Sequence, residues 1–288
     1  MLVYGWTRLQ KSGYMIGIFF FVIAATMARP HVLWYYKETP YQTIKVVDNR
    51  LYKNEPVRLL EMNGGMASGI YTKTWKSLFP YIRQMVEVIQ QKKPNTIAVI
   101  WAAWCTLPQE IASLDSVQKI DVIDIDGAVF AIAEKEFLQH PLSPKITPIV
   151  QSARGWLYDA QKNNKKYDLI VIDVYNGISL PDEVLTQEFF ASLQQVSDTV
   201  MMNIITDVWL QSPFSQTLFA TMQSVFGKLY ILDANYQHKV VGEIWNFVVM
   251  NTMASWFNMV QQMSTPILFT DDKNPADEMR VRVMFEKK

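Results

Sequence analysis

Two carboxylates stand where apolar runs of the chain stop. Asp173 closes Asp168-Leu169-Ile170-Val171-Ile172-Asp173, and Asp124 lies at the end of the run Lys119 to Ile125, just ahead of Asp126. A charge at the tip of a segment that reads as a buried strand is costly unless it is paired, hydrogen-bonded or put to use. Asp173 therefore has two readings. It caps backbone N–H groups of the loop Val174-Tyr175-Asn176-Gly177, or it faces a cleft as a base or cation ligand. Asp124 stands where a Rossmann-type site holds a ribose through its hydroxyls, and Asp126, beside Gly127, reads as the cap of the next helix. Ser152, after the run Ile146 to Val150, is the N-cap of a helix or a hydroxyl at the same cleft. Thr270-Asp271-Asp272-Lys273-Asn274-Pro275 reads as a polar Asx-type turn.

These residues share a position because of the elements around them. From residue 96 the chain alternates short apolar runs with amphipathic stretches, the signature of a parallel sheet covered on both faces. The expected strands are Thr96 to Trp101, Lys119 to Ile125, Ile146 to Val150, Tyr167 to Asp173, Thr199 to Ile205, Leu229 to Ala234 and Glu243 to Met250. The expected helices are Leu107 to Leu114, Gly127 to Leu138, Ala153 to Gln161, Pro181 to Gln195, Pro213 to Phe226 and Ala254 to Met263. Ahead of them, Trp75, Leu78, Phe79, Ile82, Met85, Val86 and Ile89 recur at helical spacing and predict a helix over Lys73 to Gln91, ended by Pro94. Earlier still, Gln42 to Val47, Val57 to Met62 and Ala67 to Tyr71, with Gly64-Gly65 between the last two, predict a small antiparallel sheet. The expectation is an α/β chain of class I methyltransferase-like Rossmann type, with a seven-stranded, mostly parallel sheet and a small N-terminal β element. Its expected parts are a hydrophobic segment over 1–30, the small sheet over 39–72 and the Rossmann-like domain over 73–288.

The turn after the first strand of the main sheet is Trp101-Ala102-Ala103-Trp104-Cys105. Nucleotide-binding turns place glycines there so that the backbone can approach the ligand and take positive φ; this turn has none, and its two tryptophans fill space a ligand would use. Cys105 is the single cysteine and reads as a small buried thiol. One cysteine and three scattered histidines, His31, His140 and His238, leave no metal-ligand spacing, so no metal is expected. With 27 basic and 27 acidic residues there is no field to draw nucleic acid. Gly13 to Ala28 is sixteen uncharged residues between Arg8, Lys11 and Arg29, which predicts a single N-terminal span in an inner or plasma membrane, or export after cleavage behind Ala28.

Taken in order, the motifs resemble those of the polyamine aminopropyltransferase (spermidine synthase) family, in particular its membrane-associated branch, over about residues 39 to 280. Thr39-Pro40-Tyr41-Gln42-Thr43-Ile44 is similar to the family's opening Tyr-Gln-x-Ile strand, and Arg58 to Gly64 to its second strand. Asp124-Ile125-Asp126 fits its acidic segment. Tyr167 to Asp173, followed by Leu180-Pro181 and Leu185-Thr186-Gln187-Glu188-Phe189-Phe190, resembles its Asp-x-Tyr … Pro-x-x-Leu-x-Thr-x-Glu-Phe-Phe run, and Thr270-Asp271-Asp272 with Pro275 its ending. The resemblance implies aminopropyl transfer from decarboxylated S-adenosylmethionine, a co-substrate rather than a tightly bound cofactor, to a diamine such as putrescine. It implies Asp173 as base, Tyr175 orienting the amine, Gln42 and Tyr81 at the substrate, and Asp124, Ser152, Ala102 and Ala103 at the nucleoside. It also implies a homodimer. The family's glycine-rich turn falls on Trp101 to Cys105 and its Asp after the third strand on Ser152, which sets a second expectation beside the first: a catalytically silent binding or scaffold protein that keeps the fold.

Overall fold

The computed structural model describes residues 33–101, 103–175, 180–234 and 244–274 except 256, 264 and 266, together with 276 and 279. The segment Gly13 to Ala28 lies outside the described residues, as do Ala102, Asn176 and Gly177.

Four strands, β1 (Leu33–Glu38), β2 (Thr43–Tyr52), β3 (Glu55–Met62) and β4 (Gly65–Tyr71), form an antiparallel meander in chain order. The meander therefore reaches back to Leu33 and has one strand more than its apolar runs suggested. Two of its three hairpins turn on consecutive left-handed residues: Lys53 and Asn54 at φ 51° and 65°, Asn63 and Gly64 at φ 49° and 80°. That pair of positive φ angles matches the twist of tight two-residue hairpins, and Asn-Gly supplies it at least cost. One face buries Ile44, Val46, Leu60, Met62 and Ile70. Arg58 tacks this sheet to the rest of the molecule by donating to Phe137 O at 2.7 Å while pairing with Asp48 at 2.7 Å.

The helix expected over Lys73 to Gln91 begins only at Pro80: α1 spans Pro80–Lys92. Pro80 disfavours helical geometry in the residue before it, and Phe79 is extended at φ −78°, ψ 122°. Trp75 takes φ 60° and Ser77 bridges to Ile70, so residues 73–79 pack as loop rather than as the first turns of the helix. Lys93, left-handed at φ 52°, ends α1.

The main sheet has eight strands: β5 (Thr96–Ile100), β6 (Lys119–Asp124), β7 (Ile146–Val150), β8 (Leu169–Ile172), β9 (Val200–Asp207), β10 (Tyr230–Asp233), β11 (Ile244–Met250) and β12 (Asn258–Met259), in the order β12-β10-β11-β9-β8-β5-β6-β7. β5 to β9 run parallel and β11 returns antiparallel to β9. The eighth strand replaces the helix expected over Ala254 to Met263. Asn258 and Met259 pair with Ile231 and Tyr230, occupying the free edge of β10, and the apolar spacing that suggested a helix instead buries Phe257 and Val260.

Between the strands lie α2 (Thr106–Ala112), α3 (Ala128–Ile132), which runs on into a π-helical turn (Ala133–Leu138), α4 (Ala153–Lys162), α5 (Gln187–Gln194) and α6 (Pro213–Phe226). The helix expected from Pro181 to Gln195 is interrupted: a 3-10 turn (Asp182–Val184) precedes α5, which starts where the Thr186 hydroxyl accepts from Phe189 N. Alternate strand residues face two separate cores, Ile97 and Val99 toward α1, α2, α3 and the meander, Ala98 and Ile100 toward α4, α5 and α6.

The membrane location expected from the N-terminal segment is corrected. Among the described residues no helix is long and apolar enough to cross a membrane. The longest of these helices, α6, has 14 residues, about 21 Å at 1.5 Å per residue against a hydrocarbon core of about 30 Å.

Candidate active site

Chain order reverses between β5 and β8, which pair through Ile100 and Ile172. A crevice outside the carboxyl ends of parallel strands at such a reversal is where open α/β sheets bind ligands. Trp101 and Asp173 leave the sheet there side by side, and Asp173 N donates to Ile100 O at 3.2 Å.

The Asp173 side chain is only 6% exposed, and both oxygens are engaged. Tyr81 Oη, from α1, donates to Oδ2 at 2.9 Å, and Asn203 Nδ2, from β9, donates to Oδ1 at 2.9 Å. Burial pushes the Asp173 carboxyl up, and the hydrogen bonds from Asn203 and Tyr81 take back only part of that rise. Burial and then the neighbouring Asp173 charge push the Tyr81 phenol well above its ordinary value, so it stays a neutral donor. A carboxylate oxygen has room for a second hydrogen bond, so each retains capacity for a proton or an amine N–H. Tyr175 sits differently. Its hydroxyl donates to Asn203 O at 3.1 Å and accepts from Ile205 N at 2.6 Å, continuing the ladder on the edge of β9 after β8 has ended. This is a structural wedge beside Asp173.

At the tip of β6, Asp126 Oδ1 accepts from Ala128 N at 3.0 Å and so caps α3, while Asp124 is 3% exposed and its Oδ1 accepts from Asp126 N at 2.8 Å. Gln42 Nε2 and Thr39 Oγ1 donate to Asp126 Oδ2 at 3.1 and 2.7 Å. Gln42 thus docks the meander onto β6, with its amide on Asp126. Ser152 is the N-cap of α4, accepting from Gly155 N at 3.2 Å.

The turn after β5 keeps an unusual backbone. Trp101, Trp104 and Cys105 have φ of 70°, 53° and 59°, the left-handed region that side chains other than glycine disfavour. The two tryptophans part company: Trp104 is buried in the core under α3 and the meander, while Trp101 packs partly exposed against the opposite core. Ala103 enters a short 3-10 turn with Trp104 and Cys105. Burial raises the Cys105 thiol far above its ordinary value, so it is no nucleophile. Because the strain resides in φ, we expect Trp101→Gly to be more stable than Trp101→Ala by about 1 kcal/mol in urea denaturation, where an ordinary site favours Ala. Equal stabilities would remove the strain from consideration.

Two motifs that lie far apart in the chain meet at the start of α5. Arg154, in α4, grips Asp271 with both terminal nitrogens at 2.9 and 2.6 Å, the Thr186 hydroxyl at 2.7 Å and Glu183 O at 2.8 Å. Asp271 N in turn donates to Glu188 Oε2 at 3.0 Å. The turn Thr270 to Lys273 is therefore a clasp that holds the start of α5. Burial raises the Asp271 carboxyl, but the Thr186 and Arg154 hydrogen bonds outweigh it and hold it below the usual value. A depressed carboxyl contributes stability above its unfolded pKa of about 3.9 and loses it as pH falls through the folded value. The stability gap between the wild type and Asp271→Asn, up to about 1 kcal/mol for so exposed a pair, is thus expected near neutrality and should close below about pH 4 in thermal melts. A gap independent of pH would refute the charge contribution.

Sequence reasoning missed Asn203, Asn246, Arg154 and Thr39. Asn203 was visible as the one polar residue inside Val200-Met201-Met202-Asn203-Ile204-Ile205; the others carry no local signal.

The strand order, its reversal between β5 and β8 and the carboxylates at the tips of β6 and β8 define a class I methyltransferase-like Rossmann protein. Solved structures agree on the fold: a probable spermidine synthase from Corynebacterium glutamicum has a TM-score of 0.61 at 19% identity, covering 75% of this chain and 78% of that one. The spermidine synthase from Thermotoga maritima has a TM-score of 0.55 at 15% identity, covering 75% and 72%. Residues 81–260 match the model of the spermine/spermidine synthase domain, and the chain belongs to that family. The polyamine aminopropyltransferase of Vibrio vulnificus is 26% identical over 216 residues, 75% of this chain and 67% of that protein. A probable polyamine aminopropyl transferase of Bifidobacterium longum is 25% identical over 175 residues, 59% of this chain but only 37% of that longer protein.

Proposed function

We propose that this chain transfers an aminopropyl group from decarboxylated S-adenosylmethionine to a diamine of the putrescine type. The observation that carries the reading is Asp173, a buried carboxylate where the strand order reverses, held by two neutral donors. The reaction needs such a group. A diamine is protonated at neutral pH and must lose a proton before its nitrogen lone pair can attack. The nitrogen then bonds to the aminopropyl carbon beside the sulfonium, the carbon–sulfur bond breaks with its electron pair going to sulfur, and methylthioadenosine leaves. Asp173, its carboxyl raised by burial, takes the proton, and its charge attracts the dication. Asp124 at the tip of β6 suits the ribose hydroxyls, and the left-handed backbone at Trp101, Trp104 and Cys105 supports a turn that still follows the path glycines would allow.

Calorimetric titration with decarboxylated S-adenosylmethionine and with methylthioadenosine tests this first. Micromolar binding that is lost in Asp124→Ala supports the reading. No heat from either compound, in a folded chain, overturns it and leaves the silent scaffold, which the absence of glycines from the turn favours.

A further inference from the structure

Asp173, Asn203 and Asn246 stand in a row across three neighbouring strands. β8 pairs with β9 through Ile172 and Met202, so Asp173 comes alongside Asn203, and β9 pairs with β11 through Asn203 and Val248, so Asn246 lies diagonally from Asn203 on the same sheet face. Asn203 is 1% exposed within an otherwise apolar strand. Its side chain has two ends of opposite character. With Nδ2 toward Asp173 it donates; turned over, it would set a carbonyl oxygen against a carboxylate oxygen. Asn246 Nδ2 donates to Asn203 Oδ1 at 3.3 Å and so selects the first orientation.

We propose that Asn246 acts through Asn203 as a positioning residue for Asp173, an amide relay that fixes the donor on the carboxylate while adding no charge beside it. The inference rests on the aminopropyl-transfer reading only for its purpose; the relay itself is a statement about Asp173. Its chemistry suits a base. A lysine or arginine in place of Asn203 would hold the carboxyl ionised and weak, whereas an amide stabilises the anion only modestly and leaves it a better proton acceptor. The other side is built the same way: Tyr81 from α1 faces Asp173 as a neutral phenol, and among the described residues Tyr175, on the segment following β8, is the other titratable group that acts on Tyr81. The Tyr175 hydroxyl, bonded to Asn203 O and Ile205 N, holds the β9 backbone that carries the relay.

The test reads Asp173 directly. In the full chain, the infrared band of a protonated carboxylic acid that is absent from Asp173→Asn is followed against pH in the wild type, Asn246→Leu and Asn246→Gln. Asn246→Leu frees the Asn203 amide, and the midpoint of the band is expected to rise by about one pH unit. Asn246→Gln, which keeps the amide donor, is expected to restore it. Where transfer is measurable, the acid limb of kcat moves with the band and KM for the sulfonium substrate does not. Should Asn246→Leu fail to fold, Asn246→Ala carries the same measurement. An unmoved midpoint in a folded variant overturns the relay whatever the activity; a moved midpoint in a chain that transfers no aminopropyl group upholds the relay and removes the reaction.

Discussion

Asp173→Asn is expected to lower kcat for aminopropyl transfer by about 10²–10⁴-fold, the range that a positioned proton acceptor contributes, while affinity for methylthioadenosine stays as it was. The substitution is close to isosteric and its polar atoms can be satisfied. The new Oδ1 accepts from Asn203 as before, and the new Nδ2 donates to Tyr81 Oη, whose hydroxyl proton turns away. The fold should therefore survive, and its stability should rise at neutral pH. Asp173 has a folded pKa above its unfolded value, so what it contributes is present in full below an unfolded pKa of about 3.9 and is lost as pH rises through the folded value. Removing an ionised, buried carboxylate takes away that loss. Urea denaturation of the two proteins near pH 8 and near pH 3, beside steady-state kinetics, checks both halves. A kcat within about tenfold of wild type would remove Asp173 as the base.

Trp104→Ala is expected to destabilise the chain by about 3–5 kcal/mol, the usual cost of deleting a large aromatic ring from a core. Trp104 is 4% exposed and packs in the cluster that α1, α2, α3 and the meander share, with Leu107, Val129 and Phe130 among its members. Its backbone is left-handed at φ 53°, and alanine does nothing to relieve that, so the ring's burial is lost without compensation. The sequence by itself places both Trp101 and Trp104 in the nucleoside space. Were Trp104 a plug in a ligand cleft, its removal would cost under about 1 kcal/mol, and methylthioadenosine would bind more tightly. Equilibrium urea denaturation and calorimetry on the same variant separate the two. A small stability change with a gain in affinity would return Trp104 to the cleft.

The chain's own patterning determined the parallel sheet, because strands buried on both faces must be apolar throughout and helices between them must be apolar on one side. It determined the carboxylates at Asp124 and Asp173 for the same reason, since a charge that ends an apolar run stands out against its surroundings. Ser152 as a cap and Asp126 as a cap were also local matters, settled within three residues of chain. What only the tertiary structure decided is everything that depends on which strand lies beside which. β12 exists because β10 had an open edge, and α1 starts late because residues 73–79 are drawn to β4 and α2. Gln42 turns to Asp126, Arg154 to Asp271 across 117 positions, and Asn246 to Asn203 across 43. The partners of Asp173 come from residues 81 and 203, brought together by the sheet order and by the helix that lies over it. Side-chain spacing along one segment carries the period of that segment and its caps. It carries no information about a neighbour supplied from elsewhere in the chain, and the environment that makes a carboxylate a base is made of such neighbours.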